Sequence, residues 1–301
     1  MCFERDKFTV GLVGGDARIS ILTSLMKKAG YKVFCYSIAD CGGLEPSEIC
    51  FSIEELISAC DIIVLPVPVS RDKVHLFSEK SCAPLPLKHL IFDAKDYGQK
   101  VFFGGAFGND FRRSLEEKGH TVIDVLNDSE LVLKNAIATA EGALMIAMEK
   151  TEFTIKDRDF CILGYGRIAS HLVKIIGAMG GNVTVLARSD NALMEAVLHG
   201  FKSIKLDQNN VQNIAMSLDG ASVIFNTVPS NIITKEIIEN MRNRPLYVEL
   251  ASHPYGIDIK LARELDFNTV FAPSLPGKYA PVSAAEYIFE AIEKSLEEIY
   301  C

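Results

Sequence analysis

Short apolar runs rich in β-branched residues recur along the chain, separated by amphipathic stretches with helical spacing. The run 8–13, FTVGLV, ends at Gly14-Gly15-Asp16, and an amphipathic segment over 19–28 follows and stops before Gly30. That pattern reads as strand, tight turn, helix and C-cap. A second buried strand is predicted at 31–36, a helix at 53–59, a third strand at 61–67, a strand at 90–92 after the Pro-rich 84–86 stretch, and another at 101–103. Apolar strands that alternate with helices, rather than with hairpin turns, indicate parallel βαβ units. Residues 1–128 are therefore expected to form one open α/β domain.

Residues 129–150, SELVLKNAIATAEGALMIAMEK, give one long helical pattern, and the strand-helix alternation then restarts. A strand at 159–163 leads through Gly164 into a helix at 168–179, and strands follow at 183–187, 203–206, 222–226, 246–250 and 269–272. Six strands in that order match a complete dinucleotide-binding sheet. The predicted fold is α/β, with two Rossmann-like doubly wound parallel-sheet domains joined by a long connector helix. The boundaries are 1–128 for an N-terminal substrate and catalytic domain, 129–151 for the connector, 152–282 for a nucleotide-binding domain, and 283–301 for a C-terminal helix that returns to the first domain.

Composition narrows the function classes. Over 301 residues, 31 basic and 39 acidic side chains give a net charge of −8, so no basic footprint for nucleic acid or an anionic membrane surface is present. No run reads as a membrane span or a secretory signal, and the expected location is a reducing cytoplasm. The eight cysteines (2, 35, 41, 50, 60, 82, 161 and 301) contain no C-x-x-C pair and the six histidines contain no H-E-x-x-H, so buried thiols and no metal site are expected.

The sharpest motif is Gly164-Tyr165-Gly166-Arg167-Ile168-Ala169, a G-x-G-x-x-A directly after a predicted strand and opening a helix. Gly164 permits the tight turn, Gly166 lets the backbone approach a pyrophosphate, and the helix N-terminus meets its charge. An NAD site usually ends its second strand in Asp or Glu. Here Leu186-Ala187-Arg188-Ser189 stands there, and Arg188 with Ser189 suits a 2′-phosphate, which favours NADP. Asp190 remains the alternative partner for a 2′-hydroxyl. Asn226-Thr227-Val228-Pro229, at the exit of the fourth strand, is expected to flank the nicotinamide ribose, and Glu249-Leu250-Ala251-Ser252 after the fifth strand and Pro273-Ser274-Leu275-Pro276-Gly277-Lys278 after the sixth are expected to face the same crevice. The expected cofactor contacts are therefore Gly164, Gly166, Arg167, Ile168, Ala187, Arg188, Ser189, Asn226, Thr227, Val228, Pro229 and Ala251.

In the first domain Gly14-Gly15-Asp16-Ala17-Arg18 lacks the second glycine of G-x-G, so a substrate carboxylate rather than a dinucleotide is expected there. In the connector, Thr139 and Glu141 sit in an apolar helix, where partial burial would raise the Glu141 pKa and suit it to proton transfer. A solvated face is the open alternative.

These words, together with Asn135-Ala136-Ile137-Ala138-Thr139-Ala140-Glu141-Gly142 and Ala272-Pro273-Ser274-Leu275-Pro276-Gly277-Lys278-Tyr279-Ala280-Pro281, resemble the family of dipicolinate synthase A subunits from spore-forming bacteria. His253 stands where that family tends to carry a basic residue. The resemblance implies NADP-linked oxidation of a dihydrodipicolinate-type ring from the lysine pathway to pyridine-2,6-dicarboxylate. It further implies a partner, the flavoprotein-like B subunit, and a place in the mother cell during sporulation; a homo-oligomer is expected. On this reading Gly14, Gly15, Arg18, Thr139, His253 and Lys278 hold the small dicarboxylate substrate, and Glu141 or Asp16 is the base. The alternatives are another paired-domain dehydrogenase of a small carboxylate (2-hydroxyacid, alanine or shikimate type), or a non-catalytic NADP-binding subunit. The hydroxyacid dehydrogenases are expected to carry an Arg after the fifth strand and a His after the sixth, and neither residue is present.

Overall fold

Among the described residues eleven strands form, and every pairing between them is parallel. The computed structural model describes residues 4–38, 43–79, 84–207 and 210–301. It divides into two compact units, one of residues 1–135 with 280–301 and the other of residues 136–279.

The first unit holds β1 (Thr9–Val13), β2 (Lys32–Tyr36), β3 (Ile62–Val64), β4 (Val101–Gly104) and β5 (Thr121–Asp124), in the order β2-β1-β3-β4-β5. This is the order of flavodoxin-like sheets rather than of dinucleotide-binding ones. Alternation along β1 and β3 sends Val10, Leu12, Ile62 and Val64 to one face and Val13 and Ile63 to the other, and all are buried. Both faces are therefore covered, as parallel strands require. At Gly11 a β-carbon would stand 2.6 Å from Leu56 Cδ2, so the helix Ile53–Ala59 lies directly on β1.

The C-terminal helix Pro281–Tyr300 belongs to this unit and packs on the helix Ala17–Lys28. Its buried stripe, Ala284, Ala285, Ile288, Ala291, Ile292 and Leu296, follows helical spacing. Polar contacts flank the stripe: Glu293 accepts from Arg5 Nε at 2.7 Å and from the Tyr31 hydroxyl, and Lys294 pairs with Asp128 at 2.7 Å. The return of the last helix to the first unit is thus a packed core contact.

The sequence pattern fails in this unit at three places. The strand expected at 90–92 is not formed: Leu87–Leu90 is a 3-10 turn whose i,i+3 spacing buries Leu87 and Leu90 while Lys88 and His89 face out. The third strand stops at Val64, shorter than 61–67, because Pro66 has no amide to extend the ladder. Strand β5 and the helix Asn109–Glu117 are not predicted by the pattern, and β5 is an edge strand with only Val122 fully buried.

The second unit holds β6 (Asp159–Leu163), β7 (Asn182–Ala187), β8 (Lys202–Lys205), β9 (Val223–Asn226), β10 (Leu246–Glu249) and β11 (Thr269–Phe271). Their order, β8-β7-β6-β9-β10-β11, is 3-2-1-4-5-6 within the unit, the order of dinucleotide-binding sheets. One face packs Phe160, Ile162, Phe225 and Val248 against the helix Arg167–Ala178 and the second half of the helix Ser129–Lys150. The other packs Cys161, Leu163, Ile224 and Tyr247 against Ile214, Leu218, Ile237 and Ile238.

The helix Ser129–Lys150 runs from one unit into the other. Its length and a mean hydropathy of 1.4 over 18 residues meet the measure for a membrane span, with half of that window buried in the fold. The absence of any span-like run, expected from the sequence, is thus corrected for this one helix. Cys35, Cys50, Cys60 and Cys161 are buried thiols, and Cys301 is exposed. Burial pushes Cys60 and Cys161 up to about 12, which keeps them protonated and unreactive at neutral pH. Cys2, Cys41 and Cys82 lie outside the described residues.

The C-terminal stripe has a measurable consequence. Ile292→Ala removes a side chain that is 0% exposed and is expected to cost about 2–5 kcal/mol, the range for truncating a buried Ile. Urea unfolding followed by circular dichroism checks it; a loss below about 0.5 kcal/mol would show that the helix is not part of the first unit's core.

Candidate functional site

In a parallel sheet the strand exits gather at one edge, and in the second unit the exits of β6, β7, β9 and β10 carry the residues singled out by the sequence. Gly164 leaves β6 with φ +93°, a left-handed conformation that favours glycine. A β-carbon there would stand 2.6 Å from Thr227 Oγ1 and 2.7 Å from Val228 Cγ2. Thr227 is itself fixed: its Oγ1 and N both donate to the Leu163 carbonyl, at 2.8 and 3.0 Å. The turn after β6 and the turn after β9 are thus in direct contact.

Gly166 serves a different purpose. It is exposed, its φ is negative, and a β-carbon built on it meets no protein atom within 4 Å. It is also the N-cap of the helix Arg167–Ala178 and supplies no side chain to that helix's first amides. A helix N-terminus left open beside bare backbone is suited to a pyrophosphate. Ala169 is fully buried against the sheet, Ile168 is half-buried and Arg167 is exposed.

At the exit of β7, Ala187 is buried, whereas Arg188 and Ser189 are exposed. Ser189 occupies the N-cap of the next helix without a side-chain cap bond. Asp190 is engaged by Lys205 of β8 through a carboxylate-ammonium contact. The acid that would serve a 2′-hydroxyl already has a cation, while Arg188 stands at the edge.

The exit of β9 departs from expectation at Asn226. The residue is fully buried, with its Oδ1 accepting from Val228 N at 3.1 Å and its Nδ2 donating to Val228 O at 3.0 Å and to Glu249 Oε1 at 2.7 Å. All its polar atoms are committed inside the protein, so it shapes the turn and does not itself line the ribose. Thr227 and Val228 are half-buried, and Pro229 is exposed. After β10, Ala251 is half-buried, Ser252 and His253 are exposed, and His253–Pro254 is a cis peptide. Lys278 is exposed, its Nζ 5.0 Å from the Tyr279 ring centroid.

Glu249, expected to face the crevice at the end of the fifth strand, is turned into the protein instead, and its role as an internal acceptor is what the sequence motifs do not reveal. It is 1% exposed, and besides Asn226 its carboxylate accepts from Ala251 N at 2.9 Å, Gly256 N at 2.8 Å and the Tyr247 hydroxyl at 3.1 Å. Burial raises its pKa, and the four hydrogen bonds oppose that rise without reversing it. The available signal is a charged residue closing an otherwise apolar strand, Leu246-Tyr247-Val248-Glu249.

On the helix Ser129–Lys150, Glu141 is exposed and lines a hollow of about 370 Å³ with Leu144, Met145, Met148, Glu149 and Ile175. The partial burial expected of it is absent. Thr139 is half-buried.

In the first unit the Gly14–Arg18 turn is filled by the chain itself. Gly14 N donates to Tyr36 O at 3.1 Å and Gly15 N to Phe77 O at 2.8 Å, while Glu79 N donates back to Gly15 O at 3.0 Å. The amides expected to hold a substrate carboxylate are therefore occupied. Asp16 caps the following helix through Arg18 N at 3.1 Å. Its carboxylate also holds the Arg18 guanidinium, through Nε at 2.9 Å and Nη2 at 2.7 Å, and Nη2 donates further to Val67 O. Both side chains are buried, 7% and 5% exposed. Gly14, Gly15, Asp16 and Arg18 thus serve the fold at this turn: the positive φ of both glycines admits the 76–79 segment, and the buried pair anchors it to the loop after β3. In that loop Arg71 stacks over the Phe77 ring at 3.8 Å, and the Asp72 carboxylate bonds His75 Nδ1 at 2.7 Å. Among the described residues, no three His, Cys, Asp or Glu side chains converge as a metal site.

Comparison with known proteins places this geometry. Residues 9–126 match the family model for the N-terminal domain of the dipicolinate synthase A subunit. The dipicolinate synthase A subunit of Bacillus subtilis is 26% identical over 294 residues, which cover 96% of this chain and 96% of that protein. The crystal structure of the corresponding A subunit from Bacillus halodurans superposes with a TM-score of 0.82 at 23% identity, covering 96% of this chain and 97% of that one. A transhydrogenase from Sinorhizobium meliloti shares the fold with a TM-score of 0.68 at 11% identity, over 97% of this chain and 93% of that one. Residues 9–126 are thus similar to the N-terminal domain of dipicolinate synthase A subunits, and the likeness to the Bacillus subtilis protein extends over 96% of the chain.

Proposed function

We propose that the chain is the A subunit of a dipicolinate synthase, oxidising a dihydrodipicolinate-type ring to pyridine-2,6-dicarboxylate with NADP. The observation that carries the cofactor part is the exit of β7, where Arg188 and Ser189 are exposed and Asp190 is held by Lys205. The relation to the Bacillus proteins supports the ring substrate. The open edge at Gly166 and the uncapped helix behind it fit the pyrophosphate, and Arg188 fits a 2′-phosphate through a bidentate guanidinium contact.

A nicotinamide cofactor held at the Gly166 edge and by Arg188 would supply the acceptor for a hydride leaving a ring carbon of the substrate. The protein's own task is to hold the two carboxylates and take the proton that leaves as the ring becomes aromatic. Lys278 and, when protonated, His253, both exposed, are the candidates for holding the carboxylates. Asp16 is committed to Arg18 and the helix cap; Glu141 has a free path to solvent and no burial to tune it, and it is proposed as the base on the resemblance to the A subunits. Partnership with a B subunit, a homo-oligomeric state and a place in the mother-cell cytoplasm belong to the same proposal.

Fluorescence titration is expected to show tighter binding of NADPH than NADH, and Arg188→Ala to weaken NADPH about tenfold or more, the loss of a charge-assisted phosphate contact. Equal affinities in the native chain would exclude the NADP assignment, and no binding of either would exclude the nucleotide site. Glu141→Gln is expected to lower kcat by about 10²-fold or more, the usual scale for removing a general base, with NADPH affinity unchanged. Full turnover by that variant, assayed with the B subunit present, would exclude Glu141 as the base.

A further inference from the structure

The Glu249 carboxyl group is buried, and its four bonding partners are all neutral, two to each oxygen. Oε1 accepts from Asn226 Nδ2 and Ala251 N; Oε2 accepts from Gly256 N and the Tyr247 hydroxyl. Two of the four donors, Ala251 and Gly256, lie beyond the strands, and a third, Asn226, is the last residue of β9. Asn226 opens the turn after β9, and Ala251 and Gly256 stand at the two ends of the loop that carries His253.

The connection runs further on both sides. Asn226 also bonds Val228 N and O, which sets the turn whose Thr227 and Val228 stand against Gly164. Gly256 has no room for a side chain, because a β-carbon would stand 2.3 Å from Asn226 Nδ2 and 2.5 Å from the Tyr247 hydroxyl oxygen. Its carbonyl accepts from Ile232 N and Ile233 N, each at 2.8 Å, and so holds the segment beyond Pro229. A single side chain thereby spans the exits of β9 and β10 and, through Thr227 and Val228, the turn after β6.

We infer that Glu249 is a positioning residue: its carboxyl group holds the 226–229 turn and the 251–256 loop in the frame that receives the nicotinamide ribose, and nucleotide affinity depends on it without contact. The inference rests on the nucleotide reading above. It also explains why a two-oxygen acceptor is kept at this depth. Each carboxylate oxygen accepts from a backbone amide, Ala251 N at Oε1 and Gly256 N at Oε2, so a side-chain amide would set its NH2 against one of those N–H groups and release one end of the loop.

The test compares the native full-length chain with Glu249→Gln, Glu249→Asp and Tyr247→Phe. Each is measured for NADPH affinity below its melting temperature and for amide hydrogen exchange over 226–232 and 250–257. Glu249→Gln keeps the volume and is expected to bind NADPH about tenfold more weakly or worse, with faster exchange in both segments. Glu249→Asp keeps the carboxyl group but withdraws it by one methylene from the loop amides, and is expected to fall between the native chain and the Gln variant. Tyr247→Phe removes the one donor that lies on neither loop; it is expected to lower the melting temperature while leaving affinity and loop exchange native.

Native NADPH affinity in folded Glu249→Gln, or in Glu249→Asp should the Gln variant not fold, would overturn the inference and leave a purely structural carboxylate. Weakening by Tyr247→Phe equal to that of the Glu249 variants would do the same. Failure of the native chain to bind NADPH overturns the nucleotide reading instead, and the exchange measurement then decides the rest: unchanged exchange in the Glu249 variants would show that the carboxylate does not hold the loops.

Discussion

A strand that runs parallel to its neighbour must be followed by a crossover, because the chain has to return to the starting edge before it can re-enter the sheet. With every pairing in both sheets parallel, all strand exits of a unit open at one edge, and only there can loops from distant parts of the sequence meet. In the second unit this constraint brings together Gly164, Arg188, Thr227 and Ala251, which stand far apart in the sequence. The helices cover the faces, so the edge is left for binding.

The same constraint has opposite outcomes in the two units. After β1 the chain makes a glycine turn into a helix, and the 76–79 segment then fills it, with Phe77 and Glu79 using the backbone of Gly15. After β6 the equivalent turn stays open at Gly166, and only its inner side is packed, by Thr227 and Val228. The distinction follows from where bare backbone faces: Gly14 and Gly15 point it at the protein, Gly166 points it outward. Sheet order accompanies this difference, since the first unit has the flavodoxin-like arrangement and the second the dinucleotide one.

What can be read from the sequence reflects the same physics. Central strands such as 159–163 and 222–226 are buried on both faces, so their apolar runs stand out and their bounds agree closely with β6 and β9. Edge strand β5 is half exposed and leaves no such signature, while Leu87 and Leu90 mimic a strand through a turn with helical spacing. The G-x-G-x-x-A turn is legible because it is local. The fates of Arg18 and Asn226 are not, because each is decided by a partner far away in sequence, Val67 in one case and Glu249 in the other. A side chain's chemistry can be named from its type, but whether it faces solvent depends on which distant carbonyl or carboxylate has already claimed it.

The return of Pro281–Tyr300 to the first unit sets an order of assembly. The ribosome delivers residues 1–135 first, yet the stripe that closes their helical face, from Ala284 to Leu296, emerges after the whole of 136–279. The second unit can therefore complete its core during synthesis while the first waits for the helix that packs on Ala17–Lys28. Chaperone capture of nascent chains, or a stalled product ending near residue 280, would be felt by the unit that was made first.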